Sequence, residues 1–320
     1  MKAKLLCFTE VTVPPPPYRK STKSGIVEDE TGKRYLVRIE DEHYPLLKQG
    51  MEGTVEKKVT DFGEFIIFTP KLEKKAATKV AVITGASRGI GKAIAVELGK
   101  RGFNIVMNAF HDPPEEGVKA MEEIKKAGRE VLFIKGDVSK YEEAEKMVKE
   151  TVEKLGRVDV LVNNAGLNVD KLLVNMAPDQ WQRVIDVDLT GTYNCIRLVL
   201  PYMIKQGGGN IVNVSSMSAI DGATGQANYA AAKGGVNALT KVVALEYAQY
   251  NVLCNAILPG FIRTRMTDAM PSGLARERVS KIPLGRKGEP EEVAKLVAFL
   301  VTEGTYMTGQ LINISAGEYV

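Results

Sequence analysis

The apolar run Val80 to Ile83 leads straight into Thr84-Gly85-Ala86-Ser87-Arg88-Gly89-Ile90-Gly91, and an amphipathic stretch starts at once behind it. A strand, a glycine turn and a helix in immediate succession leave few folds open. Ile90, Ala93, Ile94 and Leu98 recur at helical spacing, and Gly102 ends the segment. Repeated strand-then-helix units build a parallel sheet with crossover helices. Further apolar runs follow at Asn104 to Ala109, Val131 to Ile134, Val158 to Asn163, Ile211 to Ser215, Val252 to Leu258 and Leu311 to Ile314. The expected fold class is therefore α/β: a doubly wound parallel sheet of about seven strands. Between the strands, Ser139-Lys140-Tyr141-Glu142 reads as a capping box opening a helix. That helix buries Ala144, Met147, Val148, Val152 and Leu155. A last helix starts at Pro290 and keeps Val293, Leu296, Val297 and Leu300 on one face.

The first 75 residues have another character. Gly25 to Glu28 and Tyr35 to Ile39 flank the turn Glu30-Thr31-Gly32-Lys33, and Gly53 to Glu56 and Glu64 to Phe68 flank Asp61-Phe62-Gly63. Both read as hairpins in a small, mostly β domain. Pro14 to Pro17 reads as a stiff polyproline spacer. The polar run Lys71 to Thr78 reads as a linker, placing the division at residues 1–75 and 76–320.

With 44% hydrophobic and 26% charged residues, the chain is globular in composition. A net charge of +4, with Lys and Arg spread along the chain, gives nucleic-acid binding little support. Cys7, Cys195 and Cys254 are far apart, and His43 and His111 are the only histidines, so neither a metal site nor a disulfide framework is expected. A reducing cytoplasm is the expected compartment. No apolar run is long enough to span a membrane.

A glycine turn between strand and helix brings backbone close to a pyrophosphate, and the helix N-terminus offers free N–H groups. Gly85, Ser87, Arg88, Gly89, Ile90 and Gly91 are thus candidates to hold a nucleotide. Asp137-Val138 follows the third strand, where a carboxylate can accept from an adenine amino group or cap a helix. Asn164, Ala165 and Gly166 close the fourth strand, where an α/β sheet binds ligands beyond its strand ends. An acid at the end of the second strand would select NAD. Ala109 stands there, and Arg88 can meet a 2′-phosphate, so the pattern favours NADP over NAD.

Tyr229 and Lys233 lie one helical turn apart, and Ser216 lies thirteen residues before Tyr229. Tyrosine titrates near 10, too high for acid–base work at neutral pH without help. The neighbouring ammonium, with the charge of an oxidised nicotinamide, favours tyrosinate and lowers that value. Ser216 can orient a substrate carbonyl. The spacing is ordinary on its own and gains meaning from the glycine turn and the Asn163 to Gly166 segment in the same chain.

Together, Thr84 to Gly91, Asn163 to Gly166, Gly225 to Lys233 and Pro259-Gly260-Phe261-Ile262-Arg263-Thr264 resemble the short-chain dehydrogenase/reductase family over about residues 79 to 320. The resemblance is strongest to 3-oxoacyl thioester reductases of fatty-acid synthesis. It implies a Rossmann-type sheet, with Tyr229 as general acid and Ser216 polarising the carbonyl. Lys233 would lower the tyrosine pKa and bind the nicotinamide ribose. It also implies Ile262 and Thr264 near the nicotinamide carboxamide, with Pro259 and Gly260 in the same matching stretch, and a homo-tetramer. One position departs. The family usually has an asparagine that helps hold a relay water behind the lysine, and here Asp188 stands in its place. Aspartate can hold a water, pair with Lys233, or weaken catalysis; retained activity is expected.

Arg263 to Arg286 reads as a lid over the substrate, whose Arg263, Arg265, Arg276 and Arg278 either meet coenzyme A phosphates or are solvated charges. The N-terminal domain weakly resembles OB-like domains that accompany acyl-CoA thiolases, through Leu46 to Val55 and Ile66 to Pro70. It implies acyl-CoA chemistry and a thiolase or other acyl-CoA enzyme as partner. The first reading is an NADPH-linked reductase of 3-oxoacyl thioesters, or the reverse reaction; competing readings are a dehydrogenase of sugars, steroids or cyclic alcohols, and a weakly active scaffold subunit docking an acyl-CoA enzyme.

Overall fold

The computed structural model describes residues 2–11, 22–39, 49, 51–60, 63–70 and 78–319. Contacts divide the chain into two units, Met1–Ala77 and Thr78–Val320. Among the earlier expectations, Pro14 to Pro17, most of residues 46–50, the Asp61-Phe62 turn and the linker at 71–77 lie outside the described residues.

The first unit is a closed barrel of β1 (Lys2–Val11), β2 (Thr22–Asp29), β3 (Arg34–Arg38), β4 (Glu52–Thr60) and β5 (Gly63–Pro70), in the order β1-β2-β3-β5-β4. Both expected hairpins form, β2 on β3 and β4 on β5, each antiparallel. The strand that sequence reading missed is β1. Leu5-Leu6-Cys7-Phe8 is an unbroken apolar run rather than an alternation, because a bulge shifts the register between Leu5 and Cys7. Closing β1 onto β4 encloses Leu5, Val27, Val37, Val55 and Phe68. At the β2–β3 turn, Asp29 Oδ1 accepts from the Thr31 N–H, the Thr31 hydroxyl and the Lys33 N–H, and Oδ2 accepts from the Tyr35 hydroxyl.

The second unit carries seven parallel strands: β6 (Val80–Ile83), β7 (Asn104–Ala109), β8 (Val131–Lys135), β9 (Val160–Asn163), β10 (Gly209–Val214), β11 (Val252–Pro259) and β12 (Leu311–Ile314). Their order is β12-β11-β10-β9-β6-β7-β8. The winding reverses between β6 and β9, and a crevice opens beyond their C-terminal ends. The helices are α1 (Gly89–Lys100), α2 (Glu115–Lys126), α3 (Tyr141–Leu155), α4 (Pro178–Val184), α5 (Gly191–Gln206), α6 (Ser218–Asp221), α7 (Ala227–Tyr247), α8 (Arg265–Asp268), α9 (Ser272–Ser280) and α10 (Pro290–Thr302). A π-helical turn, Ile185–Thr190, joins α4 to α5.

Strand alternation divides the core into two layers. Ala81 and Ile83 pack with α1, α2 and α10, whereas Val80 and Val82 pack with α3, α5 and α7. Apolar side chains are thus needed on both faces of every central strand, which is why these runs are continuously hydrophobic. Among the described residues no helix is long and apolar enough to cross a membrane.

One helix start differs from expectation. The N-cap of α3 is Lys140, without a side-chain cap. Ser139 instead turns back, donating its N–H and its hydroxyl to Asp137 Oδ1 at 2.9 and 2.7 Å. The carboxylate just upstream competes for the serine, so no capping box forms.

Candidate active site

A cleft of 1220 Å³ opens at the C-terminal ends of the strands. The turn between β6 and α1 forms one wall. Gly85 has φ +62°, and a Cβ there would stand 2.8 Å from Ala165 Cα, so this turn presses on the exit of β9 as only glycine can. Thr84 holds the two segments together. Its Oγ accepts from the N–H groups of Asn164 and Ala165, both at 3.0 Å. In return Asn164 Nδ2 donates to the carbonyls of Thr84 and Gly85, at 2.9 and 3.0 Å.

Ser87, Arg88, Gly89 and Ile90 line the cleft with Gly85, and so do Asn164, Ala165 and Gly166. Gly91 does not; it makes room for the Asn164 amide, which a Cβ there would strike. Arg88 is the N-cap of α1 in extended conformation and supplies no side-chain cap, leaving the first-turn N–H groups for a ligand. No carboxylate pairs with the Arg88 guanidinium among the described residues. Across the cleft, Thr264 Cγ2 would stand 3.5 Å from a Cβ at Gly89. Pro259, Gly260 and Ile262 line the same side. The Thr264 hydroxyl also caps α8, accepting from the Thr267 N–H.

At the far end, Ala109, Phe110, His111, Asp137 and Val138 form the wall. The acid beyond β7, Asp112, is occupied by Lys135 at 2.9 Å and stands outside the wall. Asp137 spends one carboxylate oxygen on Ser139, as described above. The Phe110 and His111 rings meet edge to face with centroids 4.6 Å apart, a contact that sequence reading did not anticipate.

Ser216, Tyr229 and Lys233 converge at the other end. The start of α7 is fixed by Asn228, whose Nδ2 donates to the carbonyls of Val169 and Gln180 at 3.1 and 3.2 Å. Lys233, one turn after Tyr229, is 4% exposed. Its Nζ donates to the Val214 carbonyl at 3.0 Å and lies 5.5 Å from the centroid of the Tyr229 ring. Its counter-charge is Asp188, with Oδ2 3.1 Å from Nζ. Asp188 is fully buried beneath the cleft, not in its wall. Oδ1 accepts from the Leu167 N–H at 2.9 Å, while Oδ2 faces the Lys233 ammonium.

Burial pushes the Asp188 carboxyl above its usual range, against the pull of Lys233 and the Leu167 N–H. Burial also opposes the charge on Lys233, but Asp188 and Tyr229 outweigh it and hold the ammonium above its ordinary value. The 3.1 Å approach of the two buried groups is that of an ion pair. At Tyr229 the expected pull of Lys233 is present, and other groups act against it. Its phenol is raised, first by burial; Lys233 pulls it down, Asp188 pushes it up and a Ser216 hydrogen bond pulls it down. The carboxylate behind the lysine opposes what the lysine alone would do.

Ser216 is oriented by neighbours that sequence reading passed over. Its Oγ lies 3.0 Å from Ser218 Oγ and accepts the Ser218 N–H at 3.2 Å. Ser218 Oγ donates to Gln226 Oε1 at 3.1 Å, and Gln226 Nε2 donates to Asp170 at 3.3 Å. Gln226 sits inside the motif around Tyr229 and was legible there; Ser218 and Asp170 carried no sequence signal.

The stretch expected as a lid forms α8 and α9. Of its four arginines, Arg263 pairs with Glu289 at 3.0 Å and Arg278 with Glu318 at 2.8 Å. Arg278 and Lys287 also flank the Phe261 ring, 4.6 and 4.8 Å from its centroid. Only Arg265 lines the cleft.

Known proteins share this arrangement. The model of the short chain dehydrogenase family matches residues 79–274. A 3-oxoacyl-[acyl-carrier-protein] reductase of Staphylococcus epidermidis is 43% identical over 243 residues, 76% of this chain and 99% of that protein. The reductase of the same description from Thermotoga maritima is 43% identical over 247 residues, 75% of this chain and 97% of that one. The crystal structure of an acetoin dehydrogenase from Salmonella typhimurium superposes with a TM-score of 0.69 at 36% identity, covering 75% of this chain and 95% of that one. A parallel sheet reversing at a glycine turn, matched over so much of its length, means that the chain belongs to the short-chain dehydrogenase family of NAD(P)-dependent oxidoreductases.

Proposed function

We propose that this oxidoreductase reduces a 3-oxoacyl thioester to the 3-hydroxyacyl thioester, with NADPH as its reductant. The observation that carries the reading is the convergence of Ser216, Tyr229 and Lys233 in the cleft, with Lys233 Nζ 5.5 Å from the Tyr229 ring centroid and pulling its phenol toward ionisation, so that it can give up a proton. The residues of the cleft fit a nicotinamide dinucleotide. The cradle at Gly85 is one that a Cβ would fill, and the uncapped start of α1 suits a pyrophosphate. Such a cofactor, when bound, supplies a hydride.

The chain's own residues supply the rest. Ser216 donates a hydrogen bond to the substrate carbonyl and orients it. Tyr229 gives its phenolic proton to the same oxygen as it becomes an alcohol. Lys233 stabilises the tyrosinate left behind and holds the cofactor ribose; Asp188 fixes Lys233. Arg88 takes the 2′-phosphate, a role supported by its having no carboxylate partner among the described residues and by Ala109 where an acid would select NAD. Ile262 and Thr264 face the nicotinamide end, Asp137 and Val138 the adenine end.

The relatives described as 3-oxoacyl-[acyl-carrier-protein] reductases support the substrate class. We read the N-terminal barrel as OB-like, supported by its strand order and by its parallel β3–β5 pair, and as a docking module for an acyl-CoA enzyme. Exposed Tyr193 on α5 and Val242 and Leu245 on α7 support a homo-oligomer. NADPH oxidation is the test, with acetoacetyl-CoA, an acetoacetyl carrier protein and acetoin offered separately. Turnover of either thioester is expected to exceed that of acetoin; turnover of acetoin alone overturns the substrate reading.

A further inference from the structure

We propose that Asp188 compensates the charge of Lys233 so that Tyr229 keeps its proton over the pH range in which the site acts as an acid. The proposal rests on the reductase reading above, and it assigns to Asp188 a positioning and electrostatic role distinct from that of the asparagine which the family resemblance implies at this place.

Lys233 Nζ lies 5.5 Å from the Tyr229 ring centroid, close enough for an uncompensated ammonium to favour tyrosinate strongly. Asp188 Oδ2 stands 3.1 Å from that Nζ, and the side chains of Lys233 and Asp188 are 5% and 0% exposed. Water therefore screens the pair poorly. The carboxylate cannot turn away. Its Oδ1 holds the Leu167 N–H at 2.9 Å, and its own backbone carbonyl accepts the Thr192 hydroxyl at 2.8 Å. Oδ2 meets the ammonium at 3.1 Å, so that oxygen's charge is directed at Lys233. A neutral amide would fill the same space and leave the ammonium uncancelled.

Four polar groups act on the phenol. Lys233 on its own helix and the Ser216 hydroxyl beyond β10 favour the anion; Asp188 on the π-helical turn and Asp170 on the segment after β9 oppose it. Asp188 is the only buried carboxylate of the two, since Asp170 is exposed. Its loss therefore removes the stronger opposition. A reductase needs the protonated phenol, because the proton passes from Tyr229 Oη to the former carbonyl oxygen, and solvent must return it before the next turnover. Cancelling the lysine charge extends that protonated state to higher pH.

Tyrosine labelled with 13C at Cζ reports the phenol directly, and Tyr229→Phe identifies the signal. The measurement needs neither substrate nor cofactor. Asp188→Asn is expected to lower the Tyr229 midpoint by about one unit or more. The alkaline limb of carbonyl reduction is expected to move the same way. Asp188→Glu, which restores a carboxylate, is expected to recover part of the shift, an effect that a merely structural role would not produce. Should Asp188→Asn not fold, Asp188→Ser also removes the charge and is titrated in its place. An unchanged or raised midpoint without the carboxylate overturns the proposal, because Lys233 would then be discharging instead of acting on the phenol. A protein that reduces no thioester but shows the shift would refute the substrate reading and leave this inference standing.

Discussion

A Cβ placed on Gly166 would lie 2.6 Å from Asp188 Oδ2 and 3.4 Å from Lys233 Nζ. The glycine that closes the segment after β9 therefore leaves the space in which a buried carboxylate and a buried ammonium meet. Gly166→Ala must displace one of them. We expect a loss of about 1–3 kcal/mol in urea unfolding, the usual cost of overpacking. Unchanged stability would mean that the pair moves aside freely.

Removing the carboxylate outright costs more. Asp188→Ala leaves an ammonium buried without its counter-charge, and we expect about 3–5 kcal/mol of destabilisation. Chemical denaturation of the variant beside the wild type measures it. A loss below about 1 kcal/mol would show that water reaches Lys233 and solvates it.

Tyr229→Phe removes the acid and little else, since the ring remains to pack. We expect kcat for carbonyl reduction to fall by about 10²–10⁴, the range for a positioned general acid. NADPH binding, followed by cofactor fluorescence, should be retained. Near wild-type turnover would place the proton donor elsewhere.

Arg88→Ala tests the choice of cofactor. A hydrogen bond to a charged group contributes about 1.5–3 kcal/mol, so the KM for NADPH should rise about tenfold or more. The KM for NADH should hardly move, since NADH lacks the 2′-phosphate. An equal rise for both would place Arg88 on the pyrophosphate.

The barrel carries an acid-sensitive turn. Thr31, with Tyr35 and the Lys33 and Thr31 N–H groups, holds the Asp29 carboxyl down at about 2, against an ordinary 3.8. A depressed carboxylate contributes stability above its unfolded value, and that contribution is lost as pH falls through the folded one. The wild type should therefore lose stability between about pH 4 and pH 2 through this turn. Asp29→Asn should flatten that part of the acid titration, followed by circular dichroism. Identical acid profiles would refute the assignment.

Much of this was open to a reader of the sequence. Continuous apolar runs between amphipathic segments indicate a sheet covered on both faces, and the seven strands fall within a few residues of where those runs lie. Glycine at Gly85 and the one-turn spacing of Tyr229 and Lys233 express local backbone geometry, which a sequence records directly. The first barrel strand escaped notice because a bulge broke the alternation that marks a strand. Ser139 was assigned to a helix cap because Asp137, two residues away, competes for it only once the turn has formed.

The sequence by itself determined the parallel sheet, the glycine turn after β6 and the one-turn spacing of Tyr229 and Lys233, since each rests on local backbone geometry or on the short periods of strand and helix. Tertiary structure alone decided that Asp188, forty-five residues before Lys233, stands 3.1 Å from its ammonium, and that Ser218, Gln226 and Asp170 line up behind Ser216. It also decided the direction of the Tyr229 pKa, where burial, Asp188 and Asp170 oppose the expected pull of Lys233. Burial and the sum of nearby charges set that direction, and neither exists until distant segments have packed together.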